Sequence, residues 1–169
     1  MTRIKRFGRT GALAAGLTLA ASLLPAAATA TAAPSVQAQL AQVRAATAAF
    51  HDTAAANDAA FFDPGLHCFD SPDGGMGIHF INSYNLTHAP DLTHPAALVY
   101  EPRPTGPKLV AVEYVTPGSP DDTPPVLLGQ PFTYLSELSV WKLHAWIWEP
   151  NPAGMFKDFN PNIQMCPTP

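Results

Sequence analysis

The chain has 169 residues, with nine Lys and Arg against thirteen Asp and Glu, for a formal charge of −4. Four of the basic residues lie within the first nine positions, so the rest of the chain sets five basic groups against thirteen acidic ones, about −8. That balance lacks the basic footprint that neutralises phosphates and excludes nucleic acid as an expected partner, while acidity alone names no substrate.

In chain order, the first segment reads as lying outside the fold. Arg3, Lys5, Arg6 and Arg9 make a basic leader, residues 12–24 an apolar run, and Ala28-Thr29-Ala30 or Ala30-Thr31-Ala32 a small-residue cleavage site. Residues 1–32 are therefore expected to be a secretory signal peptide that is removed. The apolar run is short for a membrane span, no cysteine near the cleavage region offers a lipid anchor, and a twin-arginine pair is missing. The expectation is an exported protein, extracellular or in the cell envelope, with no stable membrane anchor after cleavage. Residues 33–169 suffice for a single domain with one real core.

The next element is the clearest. Val36, Leu40, Val43, Thr47, Phe50 and Ala54 recur at helical steps behind Pro34 and a Ser35 N-cap. The pattern predicts one long helix running to about Asn57 or Ala60, before Asp63-Pro64-Gly65 stops it. It is too short for a coiled coil and should pack on a sheet.

Beyond the helix, short alternating segments predict strands over residues 77–83, 96–101, 108–116, 131–135 and 140–149. Ten of the nineteen prolines fall between Pro90 and Pro131, which makes the connections there stiff. The fold class is α+β, with the N-terminal helix packed on a curved, mainly antiparallel sheet or small β-barrel. Cys68 and Cys166 flank most of this region. In an oxidising compartment they are expected to form a disulfide, stabilising by about 4 kcal/mol through chain entropy; free thiols or a cysteine metal ligand are the alternatives.

Alternation along these strands sorts the side chains onto two faces. Ile78, Phe80, Leu98, Tyr100, Val110, Val112, Tyr114, Leu143, Ala145 and Ile147 share one parity, a surface for the helix to cover. The other parity holds Leu109, Ala111, Val115, Trp146 and Trp148 among further apolar residues, together with His79, Glu101, Glu113 and His144. Charged groups in an apolar face are costly unless paired or bound to metal. Two imidazoles and two carboxylates make a ligand set for a divalent transition metal such as zinc, iron or manganese. Trp146 and Trp148 would line a ligand pocket beside His144. The bland readings are a histidine hydrogen-bonded to a neighbouring carboxylate, Glu101 paired with Arg103, and Glu113 facing solvent on an edge.

Gly75-Met76-Gly77-Ile78-His79-Phe80, Tyr100-Glu101-Pro102, Val112-Glu113-Tyr114, Leu143-His144-Ala145-Trp146-Ile147-Trp148 and Asn151-Pro152-Ala153-Gly154-Met155-Phe156 resemble the motifs of a family of exported bacterial proteins that is uncharacterised. The resemblance implies a single secreted domain and no particular chemistry. The glycine run lacks the lysine of a phosphate loop and reads as a turn or bulge entering a strand. His88 and His94 near Asp91 read as solvated loop histidines, and Met155 as core.

Three functions fit these observations. The first is a secreted protein whose His/Glu pocket binds a divalent metal or small ligand. The second is a metal-dependent enzyme on a small cupin-like barrel, with a free carboxylate as base. The third is a protein-interaction domain whose polar cluster is structural only.

Overall fold

The computed structural model describes residues 33–65 and 68–166. The expected signal peptide lies outside the described residues. No helix among the described residues is long and apolar enough to cross a membrane.

The long helix expected from periodicity is broken. Helix α1 spans Val36–Thr47 and is capped by the Ser35 side chain, which accepts from the Ala38 amide. A 3-10 turn, Ala48–His51, carries it to sixteen residues in all, and α2 follows as a separate helix over Thr53–Asp58. The break is local chemistry that apolar spacing does not register. Asp52 adopts extended geometry and its carboxylate accepts from the Ala54 amide, so it caps a new helix instead of continuing the old one. Distant residues then secure the junction: the Tyr100 hydroxyl donates to the Phe50 carbonyl, and the indole of Trp148, just past the last strand, to the Thr47 hydroxyl.

The strands are β1 (Phe69–Ser71), β2 (Gly74–Ile81), β3 (Ala97–Glu101), β4 (Lys108–Pro117), β5 (Val126–Leu127), β6 (Gln130–Pro131), β7 (Thr133–Leu135) and β8 (Val140–Ala145); a short helix α3 (Ser83–Thr87) connects β2 to β3. Six strands form one antiparallel sheet in the order β1-β2-β3-β4-β8-β7, and β5-β6 make a separate hairpin. The sheet curls into a half-barrel with β1 and β7 at its two ends. The strand expected over residues 131–135 is divided between β6 and β7. The one expected to reach Glu149 leaves the sheet after Ala145.

A bulge in β4 corrects the assignment of faces. Val99 pairs with Ala111 and Tyr100 with Leu109, so Val110 is an extra residue. Past it the parity inverts. Leu109 joins the helix-side core with Leu40, Val43, Leu98, Tyr100, Val112 and Leu143, whereas Val110 packs on the opposite face with Val99, Ala111, Trp146 and Ile163. The free Val110 carbonyl accepts from the amides of both Trp148 and Glu149, which fastens the chain leaving β8.

The glycines of β2 serve close approach. Gly75 pairs with Asn160 of the C-terminal tail, and a Cβ at Gly74 would lie 2.4 Å from the Asn160 backbone. Gly77 has φ +106°, and a Cβ there would lie 2.4 Å from the Tyr100 carbonyl oxygen. Gly77→Ala is expected to destabilise by at least about 2 kcal/mol, combining backbone strain with that clash. Gly106→Ala, at φ +113° but with open space around it, should cost only about 1 kcal/mol. Urea midpoints measure both, and equal shifts would refute the close-approach explanation.

Candidate metal centre

Strand alternation and register together build the site. On β4 and β8, Glu113 and His144 are directly opposite. On β2, His79 pairs with Val99, and the β3 residue opposite Glu113 is Ala97, whose methyl leaves room for His79 to reach across. The Nε2 of His79 lies 3.4 Å from Oε2 of Glu113, and one donor atom from each of His79, Glu113 and His144 falls within 4.8 Å of the others. Tetrahedral ligands at about 2.1 Å from a zinc-like ion stand about 3.4 Å apart. The His79–Glu113 separation already matches, and His144 needs a small inward shift.

All three side chains are buried, with exposures of 6%, 9% and 1% for His79, Glu113 and His144. Nδ1 of His79 and both ring nitrogens of His144 have no hydrogen-bond partner. Buried polar atoms in native proteins are nearly always satisfied, and leaving one unpaired costs about 1–3 kcal/mol. The two unpaired His144 nitrogens, beside a carboxylate that His79 Nε2 already faces, make a set that fits a cation.

The electrostatics point the same way. Burial works to raise the Glu113 carboxyl, but the hydrogen bond and charge from His79, with the charges of His144 and Lys142, overcome it and hold the group down at about 2. Burial pushes His144 down to about 4 against the pull of Glu113. At neutral pH Glu113 is therefore a carboxylate and His144 a neutral imidazole, the forms that offer lone pairs to a metal.

Aromatic rings and the C-terminal tail wall the cluster. Phe69 stands edge-on to His79 with centroids 5.6 Å apart, and Trp146 lies 4.6 Å from the His144 ring. The Trp146 indole donates to the Lys157 carbonyl. The tail is held by the Cys68–Cys166 disulfide, by the Cys166 amide on Asp70, and by the Gln164 amide on Glu101.

Two residues expected at the site are placed elsewhere. Glu101 stands four positions from Ala97 along β3, a displacement of about 13 Å from the Glu113 row. Its buried carboxylate accepts from Arg103 and from the Gln164 amide, so it clamps the tail. Trp148 packs against the helix-side core, 4.5 Å from the His51 ring, because the chain has left β8 and alternation no longer applies. Met155 also packs on the helix side, and His94 pairs with Asp91 at the surface. The fourth polar side chain that does belong to the neighbourhood is Lys142, paired with Asp158. It was legible in the sequence as the residue two before His144, hence on the same face.

An ion held by two imidazoles and one carboxylate keeps a tetrahedral position open for water or another ligand, so it can act as a Lewis acid. No family model, curated protein or solved structure matches the chain.

Proposed function

We propose that this is an exported protein that binds one divalent transition ion, zinc, iron or manganese, through His79, Glu113 and His144. The observation carrying this reading is the grouping of one donor atom from each of three buried side chains within 4.8 Å of one another, with neither ring nitrogen of His144 given a protein partner. The disulfide is consistent with an extracellular location.

Metal analysis of protein purified without a histidine tag tests it. About one ion per chain is expected, with a His79→Ala, His144→Ala double variant losing it. Glu113→Gln, which keeps the shape and removes the charge, should weaken binding by at least about 100-fold, since direct ligation exceeds the 10–100-fold effect of outer-sphere partners. Sub-stoichiometric metal unchanged in the double variant would leave the cluster a purely structural one.

A metal-dependent enzyme is the second reading, favoured by the ligand count: three protein ligands leave an open position. It departs from the four-ligand set expected from the sequence. Glu101 is committed to Arg103 and the tail, so the carboxylate nearest to serving as a base is Asp158, at present paired with Lys142. Glu101 also stands too far along β3 to reach the centre, and Arg103→Ala should therefore disturb stability and leave metal content unchanged.

A further inference from the structure

Beside the donor cluster lies a cleft of about 140 Å³ bordered by Gln130, Thr133, Lys142, His144, Phe156 and Asp158. It exists because β7 begins only at Thr133, opposite Lys142, while β8 continues to Ala145 without a β7 partner. Lys142 and His144 share a face of β8, being two residues apart. The Lys142 side chain is only 11% exposed, and its ammonium is paired with Asp158, which is open to solvent.

We propose that this cleft binds a small monocarboxylate, with the Lys142 ammonium as its counter-charge beside the metal centre. The inference rests on the metal reading above and names a ligand class for it. Charge selects the anion. A divalent ion with Glu113 leaves one positive charge beside the cleft, and the partly exposed Asp158 can yield the Lys142 ammonium to an incoming anion, so a single negative charge is favoured there. Size limits it. The cleft volume of about 140 Å³, close to the roughly 150 Å³ of a cavity that holds benzene, suits an acid of about four to six non-hydrogen atoms, the scale of acetate to pyruvate. The Thr133 hydroxyl and Gln130 amide supply hydrogen-bond donors and Phe156 an apolar wall, a mixture typical of small-molecule sites. On binding, the carboxylate competes with Asp158 for the ammonium. No bond is made or broken.

Calorimetric titration of the zinc-loaded protein with acetate, and with acetamide as a neutral isostere, tests this. Acetate should bind saturably and acetamide at least tenfold more weakly. Lys142→Gln should weaken acetate at least tenfold with zinc stoichiometry unchanged. Asp158→Asn, by removing the competitor, should tighten it severalfold. If Lys142→Gln fails to fold with Asp158 stranded, the Lys142→Gln, Asp158→Asn double variant replaces it, and the same loss is expected. Zinc bound at one per chain with acetate affinity indifferent to Lys142, or with acetamide binding equally well, overturns the carboxylate site and leaves the metal centre standing. Failure to bind zinc at all overturns both.

Discussion

Metal-free protein is expected to lose about 3 kcal/mol of stability between pH 7 and pH 4, with His144 as the main cause. Burial depresses this imidazole to about 4 from an ordinary value of 6.5. A group with a depressed folded value binds fewer protons folded than unfolded, so stability rises with pH throughout the interval between the two values. The His144 contribution is fully present above about pH 6.5 and is lost as pH falls through 4; a shift of this size corresponds to about 3 kcal/mol at 1.36 kcal/mol per pH unit. Glu113, held at about 2 from 4.5, adds a second limb with the same sign, present above about pH 4.5 and lost towards pH 2. Urea unfolding of chelator-treated protein at intervals from pH 7 to 2 measures both limbs. The non-titrating variant His144→Gln should abolish the upper limb while leaving the lower one. A wild-type profile flat from pH 7 to 4 would contradict the burial of a neutral imidazole. Zinc-loaded protein should show a steeper acid limb, because protons must then also displace the ion.

The second large effect is expected from the disulfide. Cys68 and Cys166 are 98 residues apart, and closing a loop of that length removes chain entropy worth about 4–5 kcal/mol. Cys68→Ser, Cys166→Ser should lower Tm by about 10–20 °C for a domain of this size. Stability is not the whole consequence, because the bond anchors the tail whose Gln164 amide meets Glu101 and whose Asn160 pairs with Gly75. With that anchor cut, zinc should leave the centre faster while equilibrium stoichiometry in excess zinc is retained. Native protein should show no alkylatable thiol, and oxidised and reduced forms that melt within about 2 °C of each other would remove the argument.

Much of the site was legible in the sequence because its signal is alternation. His79, Glu113 and His144 sit at positions that any regular strand would turn to the same face, and the apolar residues between them mark that face as buried. Glu101 has the same parity and the same surroundings. What separates it from the others is register, since Glu113 faces Ala97 and not the end of β3. Register depends on partner strands, and one chain's composition does not encode it locally. Trp148 was misplaced for a related reason: alternation was extended beyond Ala145, where the strand pairing ends.

The sequence by itself determined an α+β domain with a helix start at Ser35, a set of half-buried strands and four polar side chains, His79, Glu101, Glu113 and His144, forced into one apolar face. Each follows from short-range rules: capping, a period of two, and the cost of exposing apolar surface. Tertiary structure decided the rest. The helix breaks where Asp52 caps its successor and where Tyr100 and Trp148 hold the junction. The bulge at Val110 exchanges the faces of Leu109 and Val110, and its carbonyl is satisfied by amides nearly forty residues later. Three of the four expected ligands converge because the hydrogen-bond partners that fix strand register lie far away in the chain, where no local pattern reports them.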